Sequence, residues 1–171
     1  RTRMGVMETI REAFVRARDY KKSWDEYRVA AGKGDKTAVP PRRDLELEPL
    51  VEVLEGKRLV HAHGYRSDEH LNLLLMADEF GFKIATLQHA LEAYKIAPEI
   101  AKRGTAASIF ADSWSYKLEA YESIPYNGAI LYKNGVSVSI NSDSNERIRR
   151  LNLDAAKMQK YGGVPEEEAL K

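Results

Sequence analysis

Four short strand-like runs recur at a regular pitch after residue 57, and no other feature of the chain narrows its fold as far. They are Arg58-Leu59-Val60-His61-Ala62-His63, Lys83-Ile84-Ala85-Thr86-Leu87-Gln88-His89, Ala106-Ala107-Ser108-Ile109-Phe110-Ala111-Asp112 and Gly135-Val136-Ser137-Val138-Ser139-Ile140-Asn141. They begin near residues 58, 83, 106 and 136, at intervals of 25, 23 and 30 residues. Helical stretches fill the gaps. Ser67-Asp68-Glu69 opens an apolar helix that ends near Gly81, and residues 91 to 103 form a second, stopped by Gly104. Two short helices follow, around residues 114 to 122 and 126 to 133, broken at Pro125 and ended by Asn134-Gly135. A last helix over residues 145 to 161 stops at Gly162-Gly163. That rhythm is one of βα units, hence an α/β fold with a parallel sheet and crossover helices. An open doubly wound sheet and a (β/α)8 TIM barrel both fit. A full barrel typically takes about 250 residues and eight strands, so four strands amount to half of one.

The chain before residue 57 is of another texture. Val6, Ile10, Ala13, Phe14, Ala17, Tyr20, Trp24, Tyr27 and Ala31 recur at helical steps over residues 6 to 31. Lys33 to Arg43 is polar, holds Pro40-Pro41 and reads as a loop. Asp44 is placed to cap a second helix that ends at Gly56, with Pro49 tolerable only near its start. Residues 1–57 are therefore expected to form a helical segment leading into residues 58–171, the four βα units. The chain opens on Arg1-Thr2-Arg3-Met4. It closes on Pro165-Glu166-Glu167-Glu168-Ala169-Leu170-Lys171, a helix start that halts at once, and it is expected to be an internal piece of a longer protein.

Composition removes several classes of function. Of 171 residues, 43% are hydrophobic and 31% charged, which suits a globular domain and not a disordered chain. There is no cysteine, so disulfides, thiolate metal ligands and a cysteine nucleophile are excluded. Lys plus Arg is 27 against 26 for Asp plus Glu, a net charge of +1. No basic excess points to nucleic acid as a partner. No apolar run approaches the length of a membrane span, and no stretch of these residues reads as a signal peptide. The compartment stays unassigned.

Chemistry-bearing residues gather at the ends of the predicted strands. The chain has four histidines, His61, His63, His70 and His89. Three lie at carboxyl ends of strands, as do Asp112 and Asp143, and in both parallel architectures that edge builds sites. His61 and His63 are two apart on a strand and share a face. Imidazole and carboxylate on one rim are ligands that suit Zn²⁺. Plainer readings stand beside this one. A histidine in a strand is more often a hydrogen-bonded core residue than a ligand. Asp112 reads as the N-cap of the helix that starts at Ser113-Trp114. His70, in the first turn of its helix, reads as structural or exposed, and Glu92 with Lys95 as a solvated i,i+3 pair.

These residues together resemble the amidohydrolase superfamily. The resemblance lies in Val60-His61-Ala62-His63-Gly64-Tyr65-Arg66-Ser67-Asp68-Glu69, then Leu87-Gln88-His89, then Asn141-Ser142-Asp143-Ser144. It is nearer to the imidazolonepropionase-like and prolidase-like members and covers roughly residues 58 to 171. It implies a metal-dependent hydrolase acting on carbon–nitrogen bonds, built on a (β/α)8 barrel. It also implies a histidine at the end of the fifth strand, another at the end of the sixth, and an aspartate at the end of the eighth. The sixth-strand histidine falls on His89 and the eighth-strand aspartate on Asp143. The pattern of a histidine three residues before Arg-x-Asp selects His63 for the fifth strand, with His61 as the alternative. The helical stretch before residue 57 would then connect the fourth and fifth strands. The family's first-strand His-x-His, and the fourth-strand Lys or Glu that bridges two metals, are absent and would lie before Arg1, so this piece is expected to hold an incomplete site.

The resemblance further implies a divalent metal, most often zinc, one or two in the intact protein, held in part by His63, His89 and Asp143. Asp143 would also be the catalytic base that moves a proton from water to the leaving nitrogen. Tyr65 and Arg66 would orient substrate, Arg66 being suited to a carboxylate. The substrate class is a small amide or cyclic amide, with no nucleic-acid or membrane partner. The alternatives are a non-catalytic half-barrel scaffold and an open-sheet α/β binding domain. A nucleotide-binding sheet ranks last because no glycine-rich phosphate turn follows a strand. A half barrel leaves two strand edges unpaired and is expected to bare Val60, Leu87, Ile109 and Ile140. Self-association, or pairing with a missing barrel half, is expected on that ground. The aromatic stripe of residues 6 to 31 would cover part of the opening.

Overall fold

The computed structural model describes residues 2–113 and 117–171. The chain divides into two compact units, Arg1–Leu59 with Met76–Phe82, and Val60–Leu75 with Lys83–Lys171.

The first unit is helical. α1 runs over Arg3–Gly32, longer at its start than the periodicity predicts because Thr2 caps it, its hydroxyl accepting from the Gly5 N–H at 3.1 Å. Phe14 and Ala17 are its buried residues. The Phe14 ring stacks on Phe82 at 4.5 Å and meets Phe80 at 5.4 Å. Tyr20, Trp24 and Tyr27 meet edge to face along the same helix. α2 spans Glu48–Leu54 with Pro49 in its first turn. Asp44 does not cap it directly; it closes the turn before it by accepting from the Glu46 and Leu47 N–H groups at 2.9 and 3.2 Å.

The second unit carries the sheet. β1 is Val60–His63, β2 Ile84–Gln88, β3 Ala106–Ile109 and β4 Val138–Ile140. All pairs are parallel, in the order β1-β2-β3-β4. α3 runs over Ser67–Phe80, α4 over Ala97–Lys102, α5 over Asn127–Lys133, α6 over Leu151–Gly162 and α7 over Glu166–Leu170. This is an α/β fold of four parallel strands with flanking helices, in the strand order and sense of half a (β/α)8 barrel.

Three predicted helices give way in part to 3-10 turns. Residues 91 to 103 divide into a single 3-10 turn at Ala93–Ile96 and then α4, whose first turn holds Pro98. A proline opens a helix but cannot continue one. Residues 145 to 161 likewise begin with a 3-10 turn at Arg147–Arg150 before α6. Of the helix predicted over residues 114 to 122, Trp114, Ser115 and Tyr116 lie outside the described residues, and the rest is one 3-10 turn at Leu118–Ala120.

The two faces of the sheet differ in kind. Register pairs Ala62 with Leu87 and Leu87 with Ala107, and alternation puts Ile109 beside them. Ala62, Leu87, Ala107 and Ile109 are buried. Val138 and Ile140 pack on a cluster of Ala129, Met158 and Val164 from α5, α6 and the turn after it. The other face presents His61, His63, Thr86, Gln88, Ser108 and Ser139. A register shift between Val60 and His61 sets His61 opposite Thr86. The expectation that Leu87 and Ile109 would lie bare is therefore corrected. They belong to the helix-covered face, and the uncovered face is polar. Among the described residues no helix is long and apolar enough to cross a membrane.

The α5–α6 contact is the tightest in this unit. A Cβ on Gly162 would stand 1.9 Å from the Ala129 Cβ, where no rotamer change can relieve it. Gly162→Ala is expected to destabilise the fold by about 1–3 kcal/mol, and Leu87→Ala, emptying a fully buried site, by about 2–5 kcal/mol. Urea midpoints at constant m-value measure both.

Candidate active site

The carboxyl ends of β1 and β2 bring two histidine rings together. β1 ends on His63, which pairs with Gln88, the last residue of β2. His89 is one residue further. In continuous strand its side chain would point to the face opposite Gln88 and His63. It does not, because His89 has φ 59. That left-handed conformation breaks the alternation, and the His89 ring meets His63 at 4.5 Å between centroids, inclined by 61°. Tyr65 closes on His63 at 5.1 Å, and Phe110, one residue past β3, lies 4.8 Å from His89. The Lys117 ammonium sits 3.9 Å over the Tyr65 ring.

Asp143, in the loop after β4, has φ 45, and among the described residues it and His89 are the two non-glycine positions with positive φ. Such a conformation costs about 1–2 kcal/mol for a residue with a Cβ, and it is kept where surrounding structure dictates it. Both lie at residues predicted from strand ends as functional.

Electrostatics favour a neutral His89. Burial lowers its pKa first, then the neighbouring His63 ring and the Lys117 charge, while the Asp143 carboxylate opposes them. Its Nδ1 is buried without a hydrogen-bond partner. An orphaned, neutral imidazole nitrogen beside a second imidazole suits a divalent metal such as zinc. Among the described residues, however, no group of three or more His, Asp or Glu side chains stands close enough to hold an ion. The residues thus fit the two-imidazole part of a metal site, with Asp143 acting on His89 through its charge.

The other candidates fall in different places. His61 shares the face of His63, but its Nδ1 lies 3.1 Å from the Gln88 amide nitrogen, and its ring is not among those packed at His89. Tyr65 is at the histidine pair. The Arg66 guanidinium is turned onto the Asp68 carboxylate, at 2.8 Å from Nε. The helix start that Asp112 is predicted to cap lies at residues 114–116, outside the described residues. Asp112 binds Arg147 and Lys157, both of which also reach the buried Asp154 at 2.9 and 2.6 Å. Burial pushes the Asp112 carboxyl up, and the bonds from Lys157 and Arg147 outweigh it and hold it below the usual range. Glu92 is not solvated; it is buried against the loop after β1. Sequence reading missed Phe110, Lys117 and Glu92. Phe110 follows its strand as His89 follows β2, a positional signal available from spacing; Lys117 carries none.

His70 is 1% exposed beneath this rim, with both ring nitrogens unpartnered. The Gly64 backbone approaches the ring without reaching hydrogen-bond geometry, so closely that a Cβ there would lie 2.8 Å from Nε2.

No protein-family model matches the chain. It is 35% identical over 178 residues to the amidohydrolase tasK of Hapsidospora irregularis, a match covering 99% of this chain and 18% of that protein. It superimposes with TM-score 0.83 and 29% identity on the crystal structure of an amidohydrolase from Thermotoga maritima MSB8, covering 99% of this chain and 43% of that one. The chain therefore spans less than a fifth of the curated relative and under half of the solved one. Both relatives carry the name amidohydrolase.

Burial depresses the His70 pKa to about 4, the Glu69 charge opposing it. Between the unfolded value near 6.5 and about 4, only the unfolded chain takes up a proton there. Stability should be untouched above pH 6.5 and fall as pH drops through that window. Between pH 7 and 5 the loss is expected to be about 2 kcal/mol, on the order of 1.4 kcal/mol per pH unit below the unfolded value. Urea titrations at the two pH values should show that loss shrinking in His70→Leu, which has nothing to protonate.

Proposed function

We propose that this chain forms four βα units of a metal-dependent hydrolase acting on carbon–nitrogen bonds, of the imidazolonepropionase-like or prolidase-like kind. The observation that carries this reading is the His63–His89 pair, brought together by a left-handed backbone with a buried His89 nitrogen left without a partner. The two amidohydrolase relatives support its coarse part. His63 and His89 would hold the metal, zinc by donor chemistry, with Asp143 completing this chain's contribution; a bound zinc supplies a water of lowered pKa and polarises the scissile carbonyl.

The chain's own residues do the rest. Neutral His89 has its lone pair available at neutral pH, because burial and the nearby Lys117 charge disfavour its protonation. Asp143, exposed in its loop, takes a proton from the attacking water on a carboxylate oxygen and gives it to the leaving nitrogen. The Tyr65 ring walls the histidine pair, and Arg66 stands at the rim beside it. The substrate is a small amide or cyclic amide. The β1 and β4 edges have no further strand neighbour among the described residues, and there the remaining strands of a barrel, or a second copy, would pair. A non-catalytic scaffold has one observation on its side, the lack of a three-ligand group among the described residues.

Metal analysis and turnover on the intact protein separate the two. His63→Ala and His89→Ala should each lower bound zinc and reduce kcat by about 10²-fold or more, with His61→Ala changing neither. Asp143→Gly should lose turnover similarly while gaining up to about 1 kcal/mol of stability, because glycine adopts φ 45 without a Cβ penalty. A His89→Ala protein with wild-type zinc and kcat would remove the metal-site reading.

A further inference from the structure

Glu92 lies three residues beyond His89 and is 7% exposed, an unusual place for a carboxylate unless it is matched by donors. It is matched, and by the neighbouring loop. Its Oε2 accepts from the Ser67 N–H at 3.1 Å, the Ser67 hydroxyl at 3.0 Å and the Lys95 ammonium at 3.1 Å. Its own backbone N–H donates to the Tyr65 carbonyl at 3.1 Å. One residue of the loop after β2 thus grips both ends of the stretch Tyr65–Ser67 that follows β1. Burial pushes the Glu92 carboxyl up, and the Ser67 and Lys95 donors outweigh it, so the group stays ionised and the bonds are charge-assisted.

The other side of the same loop is equally fixed. The Ala90 N–H donates to the Ser108 carbonyl at 3.1 Å, and the Ala90 carbonyl accepts from the buried Asn127 amide at 2.9 Å. The Asn127 carbonyl oxygen accepts the Tyr94 N–H at 3.0 Å. Segment 89–94 is therefore tied to β3 and α5; at the strand ends the Gly64 N–H donates to the Gln88 carbonyl at 3.2 Å, and beyond them the tie to the loop carrying Tyr65 is made by Glu92. His63 is two residues before Tyr65, and His89 three before Glu92. We propose that Glu92 is a positioning residue that sets the separation of the His63 and His89 rings by locking the loop after β1 to the loop after β2. Its consequence for zinc rests on the metal-site reading above; the ring separation is a property of the metal-free chain.

The test uses the intact protein labelled with ¹⁵N-histidine and stripped of metal. In long-range ¹H–¹⁵N spectra, Glu92→Ala should move the His63 and His89 imidazole signals and leave His61 in place. Glu92→Gln keeps an oxygen acceptor for the Ser67 N–H and should return both signals toward wild type. Zinc affinity, by competition with a chromogenic chelator, should fall about 10- to 100-fold in Glu92→Ala and recover in Glu92→Gln. Ser67→Ala, which removes only the hydroxyl donor, should shift the same two signals less; it and Glu92→Gln decide the matter if Glu92→Ala does not fold. Unmoved His63 and His89 signals in these folded variants overturn the proposal. So does an equal shift of His61, which would mean general loosening, or a Gln variant no better than Ala. A wild-type protein that takes up no zinc would sink the metal reading alone, because the spectra still decide the positioning role.

Discussion

The site depends on one departure from strand geometry. Alternation along β2 sends Leu87 into the helix-covered core and Gln88 to the polar face, and a continued strand would return His89 to the core side. The left-handed turn at His89 cancels that step and delivers its ring to His63. Histidine is among the residues that tolerate such a conformation better than β-branched ones, so the chain meets the demand without a glycine. A glycine there would turn as readily and carry no ligand.

The division of the sheet into an apolar and a polar face has a further consequence. Parallel strands covered on both sides read as continuous hydrophobic runs. Here Thr86-Leu87-Gln88 at the carboxyl end of β2 and Val138-Ser139-Ile140 in β4 alternate, which fits one face under helices and one against polar surroundings toward the carboxyl edge, while Ile84 at the start of β2 is buried. Ser108 on that second face accepts from the Asn141 amide at 2.8 Å, and His61 reaches Gln88, so its polar groups pair laterally along the sheet. Hydrogen-bonded polar groups on such a face are far less costly to leave facing water than Leu or Ile would be.

Much of this was legible in the sequence, for physical reasons that differ residue by residue. The βα rhythm was readable because strand and helix periods are local properties, and strand ends are where parallel sheets place sites. That rule alone put His63, His89 and Asp143 on one rim. It did not separate His63 from His61, since two residues on one face of one strand are equivalent until neighbouring rings are in place. Pro98 announced the break in residues 91 to 103, but helical periodicity on both sides concealed it. Burial of Glu92 and His70 was not readable, because each sits at a helix start where polar residues are ordinary. What they lie against, Ser67 for Glu92 and Gly64 for His70, follows β1 in the chain, and only the meeting of these segments shows what the side chains face. The bare apolar face was misjudged because Leu87 and Ile109 were assigned to the wrong side of the sheet, and one residue of register decides that side.

The loops at the carboxyl edge share a mode of attachment that explains how strained residues are held in place. After β1 and β2 the tie is Glu92 to Ser67; between the β2 loop and α5 it is Asn127; after β3 and β4 it is Asp112 and Asp154 with Arg147 and Lys157. Each is a hydrogen-bonded polar contact, buried at Asn127 and part-buried at the other two. Apolar packing would hold these loops as strongly but tolerates sliding, whereas a buried donor–acceptor pair is satisfied in one arrangement and costly in every other. Desolvation cancels much of what such pairs would add to stability. What they supply instead is a single geometry. That is the property a pair of histidines 4.5 Å apart requires from loops that carry two left-handed residues.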